Sequence, residues 1–450
     1  MDNFDNYYVI LKHNVLIRKT GKKYILIKTD YDYSRQKMIS LTEEGVKLLY
    51  FVKTRRSLIE IFHNFSVPSN DQKSFFDYLD FLAKEGYVTL WDTNVLGKEF
   101  ISTIVKGEWI QERTPFGATI ELTSRCNFNC IHCYLGKKRS DTLEMSTSQI
   151  KGIFDTLAEA GMLVLYLSGG EPLLRKDFVE LYLYARRKGF LIELFTNGYL
   201  LDKELLNLFL EYPPLEIDIS IYGSNDEKYK EITGYDGAFS KIKENIKLFR
   251  ENGLSVSLKS PIITNLSEDL DKMFSVANDL GAPLRVNFDI TPTVDNESKN
   301  YLKIDAKKAV ELYVAYSSTY EADAKILLED IRSNNFQLSR TRYACGMGRC
   351  NCFISYDGKV APCIETRAMG ISIFEKNFDK IWEMIGKITY EELKDVDVKE
   401  YKCLTCEKVS ICKSCPAIRE KKYGSPLIVK EEDCEYAAEL SSYITNCYQH

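Results

Sequence analysis

From about Gly117 to Ile290, short apolar runs alternate with helix-patterned stretches, and this alternation restricts the fold more than any other feature of the chain. The runs ATIELT (118–123), LVLYLS (163–168), LIELFT (191–196), LEIDIS (215–220), LSVSLK (254–259) and LRVNFD (284–289) read as strands. Helical patterns lie between them over Thr147–Ala160, Lys176–Lys188, Asp202–Glu211, Phe239–Asn252 and Glu268–Leu280. Strand–helix units in series imply a parallel sheet with helices outside it. Six such units are too few to close an eight-stranded barrel. A partial (β/α)6, TIM-like barrel with an open side is therefore expected, and a wide opening suits a large substrate such as a peptide.

Three cysteines fall on the loop expected after the first strand: Cys126, Cys130 and Cys133, spaced C-x3-C-x2-C in RCNFNCIHCY. Three thiolates on one short loop can hold three irons of a [4Fe–4S] cube and leave the fourth iron open to a chelating ligand. A zinc knuckle is the alternative. Zinc sites usually take four ligands, often from paired C-x2-C elements, and His132 beside Cys133 is poorly spaced to share one. The second strand ends in Gly169-Gly170-Glu171-Pro172. Glycines let a ligand approach the backbone. Glu171 sets a carboxylate past the strand's C-terminal end, where α/β folds place ligand chemistry. Asn197, Ser220 and Lys259 close the third, fourth and fifth strands at the same edge, although ordinary turn chemistry would also explain them.

The remaining cysteines all follow residue 340. Cys403, Cys406, Cys412 and Cys415 form C-x2-C-x5-C-x2-C, which could bind one zinc as a four-cysteine ribbon. That reading leaves Cys345 and Cys363 without a purpose. They flank SYDGKVAPC, a hairpin pattern with Asp357-Gly358 at its turn, which can set two thiolates on one cluster. Cys350, Cys352 and Cys434 are further candidate ligands, and Cys447 reads as a bystander near the terminus.

A chain of 450 residues suggests about three domains. Its net charge of −5 leaves no nucleic-acid footprint. No run of eighteen apolar residues predicts a membrane span, and the acidic start MDNFDNYYVILKH is unlike a secretory signal. A cytoplasmic protein is expected, and there thirteen cysteines point to metal or redox chemistry before disulfides. None of the four histidines reads as catalytic.

The first hundred residues have a different texture. YYVILKH (7–13), VLIRK (15–19) and KYILIKT (23–29) read as strands, with Gly21-Lys22 as a turn. Three helices are expected next: one capped by Thr42, one over Leu58–Phe65 capped by Ser57, and one after Ser69-Asn70-Asp71 ending near Gly86. YVTL follows as a strand.

The triad together with GGEP resembles the radical S-adenosylmethionine (radical SAM) superfamily. The resemblance implies that Cys126, Cys130 and Cys133 bind a [4Fe–4S] cluster whose open iron chelates SAM. It also implies that Gly169, Gly170, Glu171 and Pro172 lie at the methionine ammonium, and His132 near adenine. Asn197, Ser220 and Lys259 are then SAM contacts, and the product of SAM cleavage is a 5′-deoxyadenosyl radical. The C-terminal part, with Gly358-x4-Cys363, resembles the SPASM extension, although the last gap of its cysteine run is x2 instead of x3. That resemblance implies two auxiliary [4Fe–4S] clusters. The first would use Cys345, Cys363 and Cys415, with Cys350 or Cys352 as fourth ligand; the second would use Cys403, Cys406, Cys412 and Cys434. The strand–helix order of the first hundred residues resembles the PqqD-like, winged-helix-like element that binds leaders of ribosomally made precursor peptides by strand addition.

The resulting expectation is α/β with residues 1–100 as leader-recognition element, 101–115 as linker, 116–335 as radical SAM core and 336–450 as the two-cluster domain. Together these resemblances imply a peptide maturase that forms oxidative cross-links, foremost a thioether from a cysteine, as in sactipeptide or ranthipeptide synthases. Carbon–carbon cross-linking is the alternative. Formylglycine-generating enzymes fit less well, because Ile364 follows Cys363 where they carry an aspartate. Its partners would be a precursor peptide and an electron donor such as flavodoxin or ferredoxin, with no nucleic acid and no membrane.

Overall fold

The computed structural model describes residues 4, 7–11, 15–20, 23–28, 39–53, 56–92, 115–136, 144–288, 290–294, 298–316, 324–325, 327–329, 347–390 and 401–448. The N-terminal part comprises β1 (Tyr7–Leu11), β2 (Val15–Thr20), β3 (Lys23–Lys28), β4 (Ile39–Leu41), α1 (Glu43–Phe51), β5 (Arg56–Ser57), α2 (Leu58–Asn64), α3 (Gln72–Lys84) and β6 (Val88–Asp92). The capping signals act as expected at two helices. Thr42 accepts from the Gly45 N–H, and Ser57 with Glu60 completes a capping box. At α3, Asp71 holds the N-cap position without a side-chain bond, while Gly86 at φ 78° suits the left-handed exit. β2, β3 and β4 form one antiparallel sheet. β1 leaves them and pairs with β5 and β6, a partition that local sequence does not reveal. Val9, Leu26, Leu49, Ile61, Leu79 and Leu82 fill the core between.

The central part runs β7 (Gly117–Thr123), α4 (Thr147–Glu159), β8 (Val164–Gly169), α5 (Phe178–Arg187), β9 (Leu191–Thr196), α6 (Lys203–Glu211), β10 (Glu216–Ser220), α7 (Asp226–Thr233), α8 (Ala238–Glu251), β11 (Val256–Pro261), α9 (Leu270–Asp279) and β12 (Leu284–Asn287). All six expected strands and the five expected helices form. α7 is additional; its run DEKYKEIT buries only Tyr229, Ile232 and Thr233, so its apolar period is faint. Beyond β12 come α10 (Ala306–Tyr316), β13 (Asn351–Ile354), β14 (Lys359–Ala361), β15 (Ile371–Ser372), α11 (Phe378–Tyr390), α12 (Pro416–Tyr423) and α13 (Glu435–Tyr448).

Six parallel strands are one too few. β13 pairs parallel with β7, giving a seventh parallel strand, and the order is β12-β11-β10-β9-β8-β7-β13-β14-β15. β12 and β15 are the two ends of this order, so the sheet stays open. β13 and β14 make the expected hairpin about Asp357-Gly358. Strand side chains alternate. Ile120, Leu165, Leu194, Ile219 and Leu258 join the helix-packed core, while the intervening Glu121, Glu193, Asp218 and Ser257 are buried and polar. The inner face is therefore built for polar contacts, since a dry parallel core would be apolar on both faces. Among the described residues, no helix is long and apolar enough to cross a membrane.

Tyr8 of β1 joins the N-terminal part to the central sheet. Its ring packs in a buried cluster with Phe116, Leu163, Val164 and Leu191, and its hydroxyl donates to the carbonyls of Arg186 (3.2 Å) and Arg187 (3.1 Å). These strand starts lie opposite the edge that carries the cysteine triad.

Candidate cluster and cofactor site

The triad loop leaves β7 at Thr123 and is tied down over its length. The N–H groups of Asn129 and Ile131 donate to carbonyls of Thr233 and Ile232 at the end of α7 (2.8 and 3.0 Å). Phe128 is buried against Tyr199 and Tyr235. These anchors turn Cys126, Cys130 and Cys133 into one cavity of about 330 Å³ at the C-terminal edge of the sheet. His132, Gly169, Gly170, Asn197, Ser220 and Lys259 line the same cavity, beside Tyr134, Thr196, Asp218 and Tyr222. Of the residues singled out in the central sequence, only Glu171 and Pro172 do not line it.

The two glycines answer first to the chain itself. A Cβ on Gly169 would sit 2.3 Å from the Thr123 oxygen, and one on Gly170 2.1 Å from the Arg125 oxygen. Gly169 also has φ +136°. The Gly170 N–H donates to Thr123 O (2.8 Å) and that of Glu171 to Arg125 O (2.7 Å), so the strand end is pressed directly onto the cysteine loop. Glu171 is fully buried beneath the cavity. Its carboxylate accepts from Thr196 Oγ1 (2.8 Å), Asn197 N (2.7 Å) and Leu173 N (3.1 Å). Burial pushes its carboxyl up to about 7, and these three donors oppose that rise.

Asn197 carries the link onward. Its Nδ2 donates to Asn127 Oδ1 (2.8 Å) and lies 3.8 Å from the Cys126 sulfur. His132 packs against Tyr222, ring centroids 4.7 Å apart, and burial pulls its imidazole down to about 4. The neutral ring leaves Nδ1 buried without a hydrogen-bond partner, as is Asn127 Nδ2. The orphaned His132 nitrogen, at a cavity of this size, fits a polar ligand that supplies the missing partner.

The polar inner face was only partly legible. Lys259 Nζ pairs with Asp218 (2.7 Å) and Glu193 (3.6 Å) and stands 3.9 Å over the Phe195 ring. Arg285 bonds Glu216 (2.9 Å) and Asp218 (2.5 Å). Burial pushes Asp218 up, but the Glu193 hydrogen bond and the Lys259 charge hold it below the usual carboxylate range. Lys259 thus reaches the cavity already engaged with the strand floor. Glu121, also missed, accepts from Tyr134 (2.6 Å) and Tyr356 N (3.3 Å) and pairs with Arg367. It joins the residue after Cys133 to the hairpin segment. Charged residues at alternate strand positions were the available signal for both networks.

The C-terminal cysteines divide. The Cys403 thiol is raised by burial and further by the charges of Cys406 and Cys434. Cys412 is raised by burial and by Cys403, Cys406 and Cys434. Among the described residues no three thiols lie within 4.8 Å of one another. Cys363 caps the short helix Ile364–Met369 and Cys415 caps α12. Cys412 and Cys415 line a second cavity, of about 410 Å³. Cys350 and Cys352 are fully buried in two different apolar clusters, and burial drives the Cys352 thiol far up. Cys345 lies outside the described residues, and Cys447 is exposed.

An open parallel sheet with three thiols converging at its C-terminal edge defines an α/β protein that can hold a cluster and a chelating ligand there. Residues 120–277 match the model of the Radical SAM superfamily, which spans β7 to α9 and so includes the triad, GGEP, Asn197, Ser220 and Lys259. That match implies SAM and a [4Fe–4S] cluster. The chain is 28% identical over 315 residues to an AdoMet-dependent heme synthase of Methanosarcina barkeri, covering 66% of this chain and 90% of that protein. It is 26% identical over 335 residues to the subtilosin biosynthesis protein AlbA of Bacillus subtilis, covering 73% and 68%. Its fold resembles Streptococcus suis SuiB bound to the precursor peptide SuiA, with TM-score 0.59 and 17% identity over 95% of this chain and 100% of that one.

Proposed function

We propose that this chain is a radical SAM maturase that installs oxidative cross-links in a ribosomally made precursor peptide, foremost thioethers from a cysteine sulfur to a carbon of an acceptor residue. The observation that carries the reading is the convergence of Cys126, Cys130, Cys133, His132 and the Gly169-Gly170 backbone on one cavity at the sheet's open edge. When bound there, a SAM-ligated cluster supplies a carbon-centred radical able to take hydrogen from an unactivated carbon. The chain's residues do the rest. Cys126, Cys130 and Cys133 would hold the cluster, the Gly169-Gly170 backbone and Asn197 would meet the methionine end, and His132 with Ser220 and Lys259 would position the nucleoside. Tyr134 and Tyr222 line the same cavity.

Residues 1–100 serve as the leader-recognition element in this reading, 101–115 as linker, 116–335 as the core and 336–450 as the auxiliary-cluster domain. A leader held by the N-terminal part raises the local concentration of the core peptide at the barrel mouth. Cys403, Cys406, Cys412 and Cys434 would hold one auxiliary cluster, and Cys345, Cys363 and Cys415 another, with Cys350 or Cys352 as its fourth ligand. The similarity to a bacteriocin biosynthesis protein supports a peptide substrate.

The heme synthase relative supports a second reading, in which the substrate is a tetrapyrrole. The test is anaerobic. The reconstituted protein is given SAM, reductant and the cysteine-containing peptide encoded nearest to it, and peptide mass and 5′-deoxyadenosine are recorded. Loss of two hydrogens with a cysteine that no longer alkylates supports the thioether. Loss with free cysteine means a carbon–carbon link. No change in any such peptide, with conversion of an iron porphyrin, overturns the peptide reading.

A further inference from the structure

Arg285 of β12 engages the protein through only one of its nitrogens. Its Nη2 donates to Glu216 Oε2 (2.9 Å), Asp218 Oδ1 (2.5 Å) and Ser257 Oγ (2.7 Å). Among the described residues Nη1 and Nε make no hydrogen bond, and half of the side chain is exposed. Glu216 and Asp218 are buried and fix the guanidinium on the strand floor. A guanidinium anchored through one nitrogen presents its remaining donors in set directions, an arrangement that suits a carboxylate.

Arg285 lines the second cavity, of about 410 Å³. That is room for a small ligand or a few side chains. Its charge runs against that of the chain, which is −5 overall. Lys303, Lys413, Lys422 and Arg419 line it with Arg285, against two carboxylates, Glu432 and Asp433. Both carboxylates turn to the Tyr423 hydroxyl, Asp433 at 3.2 Å, and among the described residues neither is ion-paired with a lining cation. Arg419 is buried and already donates to Tyr401 Oη (2.5 Å), Ser414 Oγ (2.7 Å) and Pro426 O (3.1 Å). Lys303 and Lys422 have no ion pair among the described residues.

The second cavity meets the cofactor cavity, since Ile290 lines both. Lys259, which lines the cofactor cavity, and Arg285 are register partners on the adjacent strands β11 and β12. Asp218 holds them both, Lys259 at 2.7 Å and Arg285 at 2.5 Å. A group bound to Arg285 therefore sits one strand away from the cofactor cavity. We infer that the second cavity is a carboxylate-binding site for the substrate, anchored by Arg285 and supported by Lys303 and Lys422, with Ile290 as the wall past which the reacting residue reaches the cofactor cavity. The inference rests on the peptide reading above for the source of the carboxylate: an aspartate or glutamate of the precursor, a few residues from the one that reacts. A charge held away from the reacting carbon orients that carbon without taking part in the chemistry.

The test is calorimetric, on the reconstituted full chain with SAM. Two probes are acetylated, amidated hexapeptides that alternate glycine with glutamate or glycine with glutamine. The glutamate peptide is expected to bind the parent about tenfold more tightly, and Arg285→Gln to abolish the preference. That change also removes a partner of Glu216 and Asp218, so Lys303→Gln combined with Lys422→Gln is measured beside it. The double variant keeps the strand network and should reduce the preference. The third probe is an iron porphyrin bearing four carboxylates. A preference that neither variant alters overturns the site, as does equal binding of the two peptides without porphyrin binding. If only the porphyrin binds, and Arg285→Gln abolishes it, the carboxylate site stands and the peptide reading fails.

Discussion

Asn197 bridges Glu171 and the cysteine loop: its backbone N–H donates to the buried Glu171 carboxylate at 2.7 Å, and its side-chain nitrogen stands 3.8 Å from the Cys126 sulfur. The buried Glu171 carboxylate thus braces the strand end beside the cavity, and the residue at the next strand's end transmits its position. Glu171→Gln would set an amide N–H₂ or a neutral oxygen against fixed donors. The expected cost is about 1–3 kcal/mol, read from denaturant midpoints, with slower cluster incorporation.

The same carboxyl makes stability depend on pH. Its folded-state value is raised to about 7 from 4.5. Between those values the folded chain holds a proton the unfolded chain has lost, so its contribution weakens as pH rises from 4.5 to 7 and is constant above. Denaturation of Glu171→Gln across pH 5 to 8 should show a flatter loss of stability than the parent. An unchanged slope would mean that the three donors hold Glu171 charged throughout.

Changing Cys126, Cys130 and Cys133 together to Ala should abolish SAM cleavage and remove about four irons per chain. Deoxyadenosine still formed by that variant would sink the cluster assignment. Removing Cys403, Cys406, Cys412 and Cys415 should instead leave leader binding intact and stop product formation.

The contact of Tyr8 with Gly189 holds the N-terminal part on the barrel. A Cβ on Gly189 would lie 1.9 Å from Tyr8 Cε1, and its φ of +77° already disfavours a side chain. Gly189→Ala should cost roughly 1–3 kcal/mol through overpacking, read from denaturant midpoints. Tyr8→Phe removes only the hydroxyl bonds and should cost about 1 kcal/mol.

Arg367→Met leaves Glu121 as an uncompensated buried carboxylate. A loss of about 3–5 kcal/mol is expected. Glu121→Gln with Arg367→Met should recover part of it, which a double-mutant cycle would measure.

The strands and helices of the barrel were readable because their period is local: apolar residues face the helices, and turns punctuate the runs. The triad and GGEP were readable because ligand spacing is carried on single loops. Other features had no such signature. β13 lies more than two hundred residues from β7 yet pairs with it, so nothing near either strand announces the seventh parallel position. α7 is too polar for its period to stand out. The glycines of GGEP read as room for a ligand, whereas packing against Thr123 and Arg125 already requires them.

The sequence by itself determined the parallel α/β core, the thiols able to hold a cluster at its edge and the cysteine-rich C-terminal part, because period and ligand spacing are properties of short segments. Tertiary structure alone decided which groups those segments meet: Glu171 under Asn197, Glu121 between Tyr134 and Arg367, Arg419 against Tyr401, and Cys350 and Cys352 in apolar cores. The physical reason is that burying a charge or a thiol is favourable or costly according to its neighbours, and those neighbours come from distant parts of the chain.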